Sequence, residues 1–132
     1  MSRSDSIEIL LVEDSPTDRL MAQEALRTAR LLNNLHCVDN GEEAMAFLRR
    51  QGKYADAPRP GLILLDLNMP KKDGREVLCE LKADPRLKFI PVIVLTTSSD
   101  ERDIMRAYGA HANSYITKPV DFANFTEAIA AI

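Results

Sequence analysis

Four of five short apolar runs in this chain are nearly continuous rather than alternating. The runs are ILLV at 9–12, LHCV at 35–38, LILL at 62–65, VIVL at 92–95 and a weaker YI at 115–116. Unbroken runs this short are what strands buried on both faces require, and burial on both faces is typical of parallel sheets. Helical patterns separate the runs. Ser15, Pro16 and Asp18 form a helix start, with a capping serine, proline at the first helical position and an acid in the first turn. Met21, Ala22, Ala25, Leu26 and Ala29 then make one apolar stripe. Asn40 with Glu43 reads as a second cap, ahead of Ala44, Phe47 and Leu48. Asp73 precedes Val77, Leu78 and Leu81; Ser98 to Glu101 precede Ile104, Ala107 and Tyr108; Asp121 precedes Phe122, Phe125, Ala128 and Ile129. The order is therefore βαβαβαβαβα, which implies an α/β three-layer sandwich with right-handed crossovers.

At 132 residues, 45% hydrophobic and 28% charged, the chain has the size and composition of a single globular domain spanning 1–132, with its core at about 7–132. A net charge of −3 disfavours binding to a nucleic-acid backbone. No apolar run approaches the length of a membrane span, and the N-terminus lacks a cleavable signal pattern, so a cytoplasmic location is expected. Cys37 and Cys79 sit in separate elements without metal-binding spacing and read as packed, reduced thiols. His36, His111, Lys71 and Lys72 read as core or surface residues. The stretch 51–60 (QGKYADAPRP) is the longest loop.

The chemistry lies where the runs end. In an open parallel sheet, ligands sit beyond the carboxyl ends of the strands. Here the first run ends in Glu13-Asp14, the third in Asp66, the fourth in Thr96-Thr97 and the fifth in Thr117-Lys118-Pro119. With the first and third strands adjacent, three carboxylates meet in one place. Two unit charges 4 Å apart repel by about 4 kcal/mol at an effective dielectric near 20, so either their pKa values rise or a cation joins them. Mg2+ fits, since it takes a couple of carboxylates and leaves room for water and a phosphate oxygen. The backbone carbonyl of Asn68 offers a further oxygen. A carboxylate can also accept a phosphoryl group. Mg2+, the Lys118 ammonium and the Thr96 hydroxyl would then share the phosphoryl oxygens.

Together, LLVED (10–14), LLDLNMPKKDG (64–74), VIVLTTSS (92–99) and SYITKP (114–119) resemble the receiver domain of two-component response regulators, the CheY-like family. The likeness runs over nearly the whole chain. It implies a flavodoxin-like (βα)5 fold with sheet order 2-1-3-4-5 and Asp66 as phosphoacceptor. It implies Glu13 and Asp14 as the acid pair for Mg2+, and Thr96 and Lys118 as phosphate partners. It further implies that Thr96 and Tyr115 rearrange on phosphorylation and remodel the face built from the fourth helix, fifth strand and fifth helix. The Lys118–Pro119 peptide is expected to be cis. The long loop before the third strand, with the runs at 66–78, 90–104 and 113–119, resembles small regulators paired with phytochrome-type histidine kinases. The partners so implied are a sensor histidine kinase, an unidentified downstream protein and a second copy of the chain through the same face, with neither nucleic acid nor membrane among them. The sequence departs from the family in carrying Glu-Asp where Asp-Asp is commoner, so the first acid reaches one methylene further. Its last helix also has only about eleven residues, where relatives usually carry a further aromatic tail.

Other readings fare worse. An aspartyl-phosphate phosphatase needs an acid two residues after its nucleophile, where this chain has Asn68. A P-loop NTPase lacks its motif. A flavin carrier would need a Ser/Thr/Gly-rich loop in place of EDSPTD. A non-phosphorylated receiver-like scaffold is disfavoured by the completeness of the site. The expected protein is thus a phosphoacceptor rather than an enzyme, with only self-catalysed phosphotransfer and autodephosphorylation.

Overall fold

A computed structural model describes residues 6–29, 33–67, 74–96, 112, 114–118, 120 and 122–130. The expected helix after the fourth run, together with Asn68, Lys71, Lys72, Asp73, Thr97, His111, Pro119 and Asp121, lies outside the described residues, and with Pro119 the expected cis peptide. Five parallel strands form one sheet: β1 (Ile7–Val12), β2 (Asn33–Val38), β3 (Leu62–Asp66), β4 (Val92–Thr96) and β5 (Ser114–Thr117). Their order is β2-β1-β3-β4-β5. The helices are α1 (Pro16–Thr28), α2 (Gly41–Leu48), α3 (Gly74–Ala83) and a C-terminal helix (Phe122–Ala130). The loop at 51–60 contains a 3-10 turn, Gly52–Tyr54.

Strand side chains alternate between the two faces of the sheet, and the two halves of the core divide by that rule. Leu10, Val12, Ile63, Leu65, Val92 and Val94 pack with α2 and α3, against Phe47, Val77 and Leu78. Ile9, Leu11, Leu62, Leu64, Ile93 and Leu95 pack with α1 and the C-terminal helix, against Leu26 and Phe125. Each such fully buried aliphatic side chain contributes about 1.5–3 kcal/mol relative to exposure. The central strands β3 and β4 are buried throughout, as unbroken apolar runs demand.

Strand β2 differs. Five of its six residues are only half-buried, because it lies at the sheet's edge and meets a neighbour on one side alone. Its run LHCV is therefore that of an edge strand, with His36 paired to Glu8 at 2.8 Å rather than enclosed. Cys37 is half-buried, but Cys79 is exposed on α3, so only one of the two thiols is packed.

Capping follows the sequence closely at two helices. The Ser15 side chain accepts from the Asp18 N–H, with Pro16 opening α1. The Asn40 side chain accepts from the Glu43 N–H at the start of α2. Helix α2 ends in a left-handed residue, Arg50, at φ 55°. The Arg50 and Gln51 amides close that end on the Phe47 and Ala46 carbonyls, the pattern more often built with glycine.

Candidate functional site

The sheet register assembles the site. Val12 is level with Leu65, so Glu13 and Asp66 leave β1 and β3 at the same height. Asp66 is level with Leu95, and Thr96 with Thr117, which brings Lys118 to the same rim. Ladder-like bonds continue past the strand ends. The Glu13 N–H donates to the Val38 carbonyl at 3.0 Å, the Leu67 N–H to Leu95 at 3.1 Å and the Lys118 N–H to Thr96 at 2.7 Å. The backbone is thus fixed at Glu13, at Lys118 and directly after Asp66.

Glu13, Asp14 and Asp66 each bring a carboxylate oxygen within 4.8 Å of the others. Glu13 and Asp66 are buried, whereas Asp14 is exposed. The Lys118 ammonium lies 2.8 Å from Glu13 Oε1, 2.9 Å from Asp18 Oδ2 and 3.3 Å from Asp66 Oδ1. Thr96 is fully buried at the end of β4. Tyr115 is half-buried and packs against the core on the α2–α3 face. The sequence-derived site residues Glu13, Asp14, Asp66 and Lys118 therefore converge, and Thr96 borders them through the register.

Electrostatics follow from burial. Desolvation pushes the Glu13 carboxyl up to about 7; the Lys118 hydrogen bond opposes this and the nearby Asp66 charge adds to it. Burial alone would lower the Lys118 pKa, but its bonds to Glu13 and Asp18 and the charge of Asp66 outweigh that, holding it above its ordinary value. One ammonium faces three carboxylates, exposed Asp14 adds a fourth acid to the cluster, and the balance stays anionic. Glu13 Oε1 is buried, and its partner among the described residues is the Lys118 ammonium at 2.8 Å. Three carboxylates whose oxygens lie within 4.8 Å of one another form a hard oxygen donor set that fits a divalent cation such as Mg2+, with Glu13, Asp14 and Asp66 as its protein ligands.

Two residues have roles that sequence reading missed. Asp18 was legible only as a first-turn acid of α1, yet its carboxylate reaches Lys118. Gly74 stood only as the last residue of the run 64–74. A Cβ built on it would sit 2.3 Å from the Asp66 carbonyl oxygen and 2.6 Å from the Leu67 Cα, so α3 begins directly against the backbone that carries the central acid. Its N–H donates to the Leu67 carbonyl at 3.2 Å. Backbone cannot swing aside as a side-chain tip can. Gly74→Ala is expected to lower stability by about 1–3 kcal/mol through this overlap, read as a lower urea midpoint at unchanged slope. Unaltered stability would mean that α3 can start further from β3.

The family profile "Response regulator receiver domain" matches residues 9–130. The chain is 56% identical over 110 residues to the response regulator Rcp1 of Synechocystis sp., an alignment covering 83% of this chain and 75% of that protein. The Mn2+-bound form of Rcp1 superposes with a TM-score of 0.80 at 50% identity, covering 94% of this chain and 90% of that one. The phosphorylated cyanobacterial phytochrome response regulator RcpA gives a TM-score of 0.81 at 51% identity, covering 95% and 90%. The bacteriophytochrome response regulator RtBRR gives 0.90 at 38% identity, covering 95% and 76%. Sheet order, the acids on the sheet's rim and these likenesses agree: the chain belongs to the response regulator receiver family and is related to the phytochrome response regulators.

Proposed function

We propose that this protein is a phosphorylation switch that accepts a phosphoryl group on Asp66 from a sensor histidine kinase. The observation carrying this reading is the placement of buried Asp66 within 4.8 Å of two further carboxylate donors and 3.3 Å from an ammonium. In the transfer, an Asp66 oxygen attacks phosphorus as the bond to the kinase's histidine nitrogen breaks, and the imidazole leaves with the electron pair. The chemistry asked of the protein is mainly positioning and neutralisation of charge on the phosphoryl oxygens. Lys118 supplies a fixed positive charge, and Thr96 supplies a hydroxyl at the same rim. A bound Mg2+, held by Glu13, Asp14, Asp66 and the Asn68 backbone carbonyl, would supply the remaining positive charge.

Of the acids present, Asp66 suits the nucleophile's role best. Asp14 is exposed, and Glu13 is occupied by the Lys118 ammonium 2.8 Å away and by its assignment to the metal. Phosphorylation adds charge that Lys118 and Thr96 are placed to answer. We assign the resulting switch to Thr96 and Tyr115, read out on the face that includes β5 and the C-terminal helix. Kinship with phytochrome response regulators supports a phytochrome-type kinase as donor. Output is then contact with a downstream protein, with homodimerisation through the same face, in the cytoplasm.

The test is chemical. Incubation with acetyl phosphate and Mg2+ should add one phosphoryl mass to the intact protein, and EDTA should reduce labelling at least tenfold. Equal labelling without the metal would assign the acid cluster some other task.

A further inference from the structure

The Lys118 ammonium has three N–H donors, and three carboxylates stand around it. Glu13 and Asp66 belong to the proposed phosphoacceptor centre. Asp18 belongs to α1, and nothing in the transfer chemistry calls for it. Yet its contact, at 2.9 Å, is shorter than the 3.3 Å contact to Asp66. The ammonium therefore rests nearer Glu13 and Asp18 than the acid it is to assist.

Asp18 is held firmly in that place. Its N–H is capped by the Ser15 hydroxyl at 3.3 Å, and the Ser15 N–H donates to Glu13 Oε2 at 3.2 Å. The next residue, Arg19, donates from Nε to the Glu13 carbonyl at 2.6 Å and pairs with Asp39. The first turn of α1 is thus stitched to the end of β1, with the Asp18 carboxylate aimed across to Lys118. Asp18 would also remain well placed without the lysine. It lies in the first turn of a helix, where the N-terminal dipole favours an anion, and its side chain is 27% exposed to water. Release of the ammonium is therefore reversible at modest cost.

We infer that Asp18 is a positioning residue that competes with a phosphoryl group on Asp66 for the Lys118 ammonium, and so sets how readily the site is occupied. The inference rests on Asp66 being the phosphoacceptor. In the resting protein Asp18 draws the lysine toward α1. A phosphoryl group, carrying about −1.5 to −2 charge, draws it back, and the Asp18 contact loosens as it does so. The state of the site is thereby felt at the first turn of α1, on the side of the sheet that α1 shares with the C-terminal helix.

The experiment titrates the full chain, with Mg2+ present, with beryllium fluoride as a tetrahedral phosphoryl mimic, following amide resonances. Asp18→Asn keeps size and one acceptor oxygen but removes the charge. It should bind roughly 2- to 5-fold more tightly, the range expected for losing a partly exposed ion-pair competitor. In a Lys118→Met background the same substitution should give no gain, because no ammonium is left to release. Binding equal to or weaker than that of the unmodified protein would overturn the inference. So would a gain that persists in the Met background, since general relief of negative charge would then explain it. If the unmodified protein fails to bind the mimic at all, the phosphoacceptor reading itself falls, an outcome distinct from either of these.

Discussion

Asp66→Asn should abolish phosphoryl acceptance while leaving the fold in place. The carboxamide has nearly the same shape as the carboxylate and fits the same 1% exposed position at the end of β3. Its oxygen lacks the charge and nucleophilicity needed to form the acyl phosphate. The substitution also removes a negative charge that raises the Glu13 pKa, so Glu13 should titrate closer to the ordinary carboxylate range. Intact-mass measurement after acetyl phosphate and Mg2+ treatment should find no adduct, against one in the unmodified protein. An adduct retained in the variant would transfer the nucleophile's role to Glu13 or Asp14. The Glu13 shift provides an independent check, because it depends on the charge of Asp66 and not on its reactivity.

Why so much of this was legible in the sequence has a physical explanation. Parallel strands that pair at matched register end at one rim, so the residue following each apolar run is automatically a neighbour of the others. Glu13, Asp66, Thr96 and Lys118 were readable for that reason, since position along a strand fixed their height. The partial exposure of β2 was less readable. An edge strand and a central one can carry equally apolar runs, and which is which depends on strand order, a property of the whole sheet. Asp18 was missed because a first-turn acid is favourable for the helix by itself, which conceals its second partner a hundred residues away. Gly74 was missed because its importance is the absence of a Cβ facing the β3 backbone, and sequence pattern says nothing of such proximity.

Lys118→Ala is expected to cost about 3 kcal/mol of stability in metal-free protein, within the range for stripping the partner from a buried ion pair. Glu13 is fully buried and Asp66 nearly so, and Lys118 is the described cation in contact with both. The deficit should depend on pH in a definite direction. In the unmodified protein Glu13 titrates near 7, above its ordinary 4.5. Between those values the folded state keeps a proton that the unfolded chain has released, so stability falls as pH rises across that window. Removing Lys118 removes a bond that lowers the Glu13 pKa, which pushes Glu13 further up and widens the window. The Lys118→Ala deficit should therefore be smallest where Glu13 is protonated in both forms, at about pH 5, and largest above about pH 8. Added Mg2+ should recover more stability in the variant than in the unmodified protein, since a cation binding only the folded state replaces the missing charge. Urea titrations at both pH values, with Mg2+ and with EDTA, give all four numbers. A deficit independent of both pH and metal would mean that the lysine supports the fold through packing of its aliphatic stem, and that its charge balances nothing.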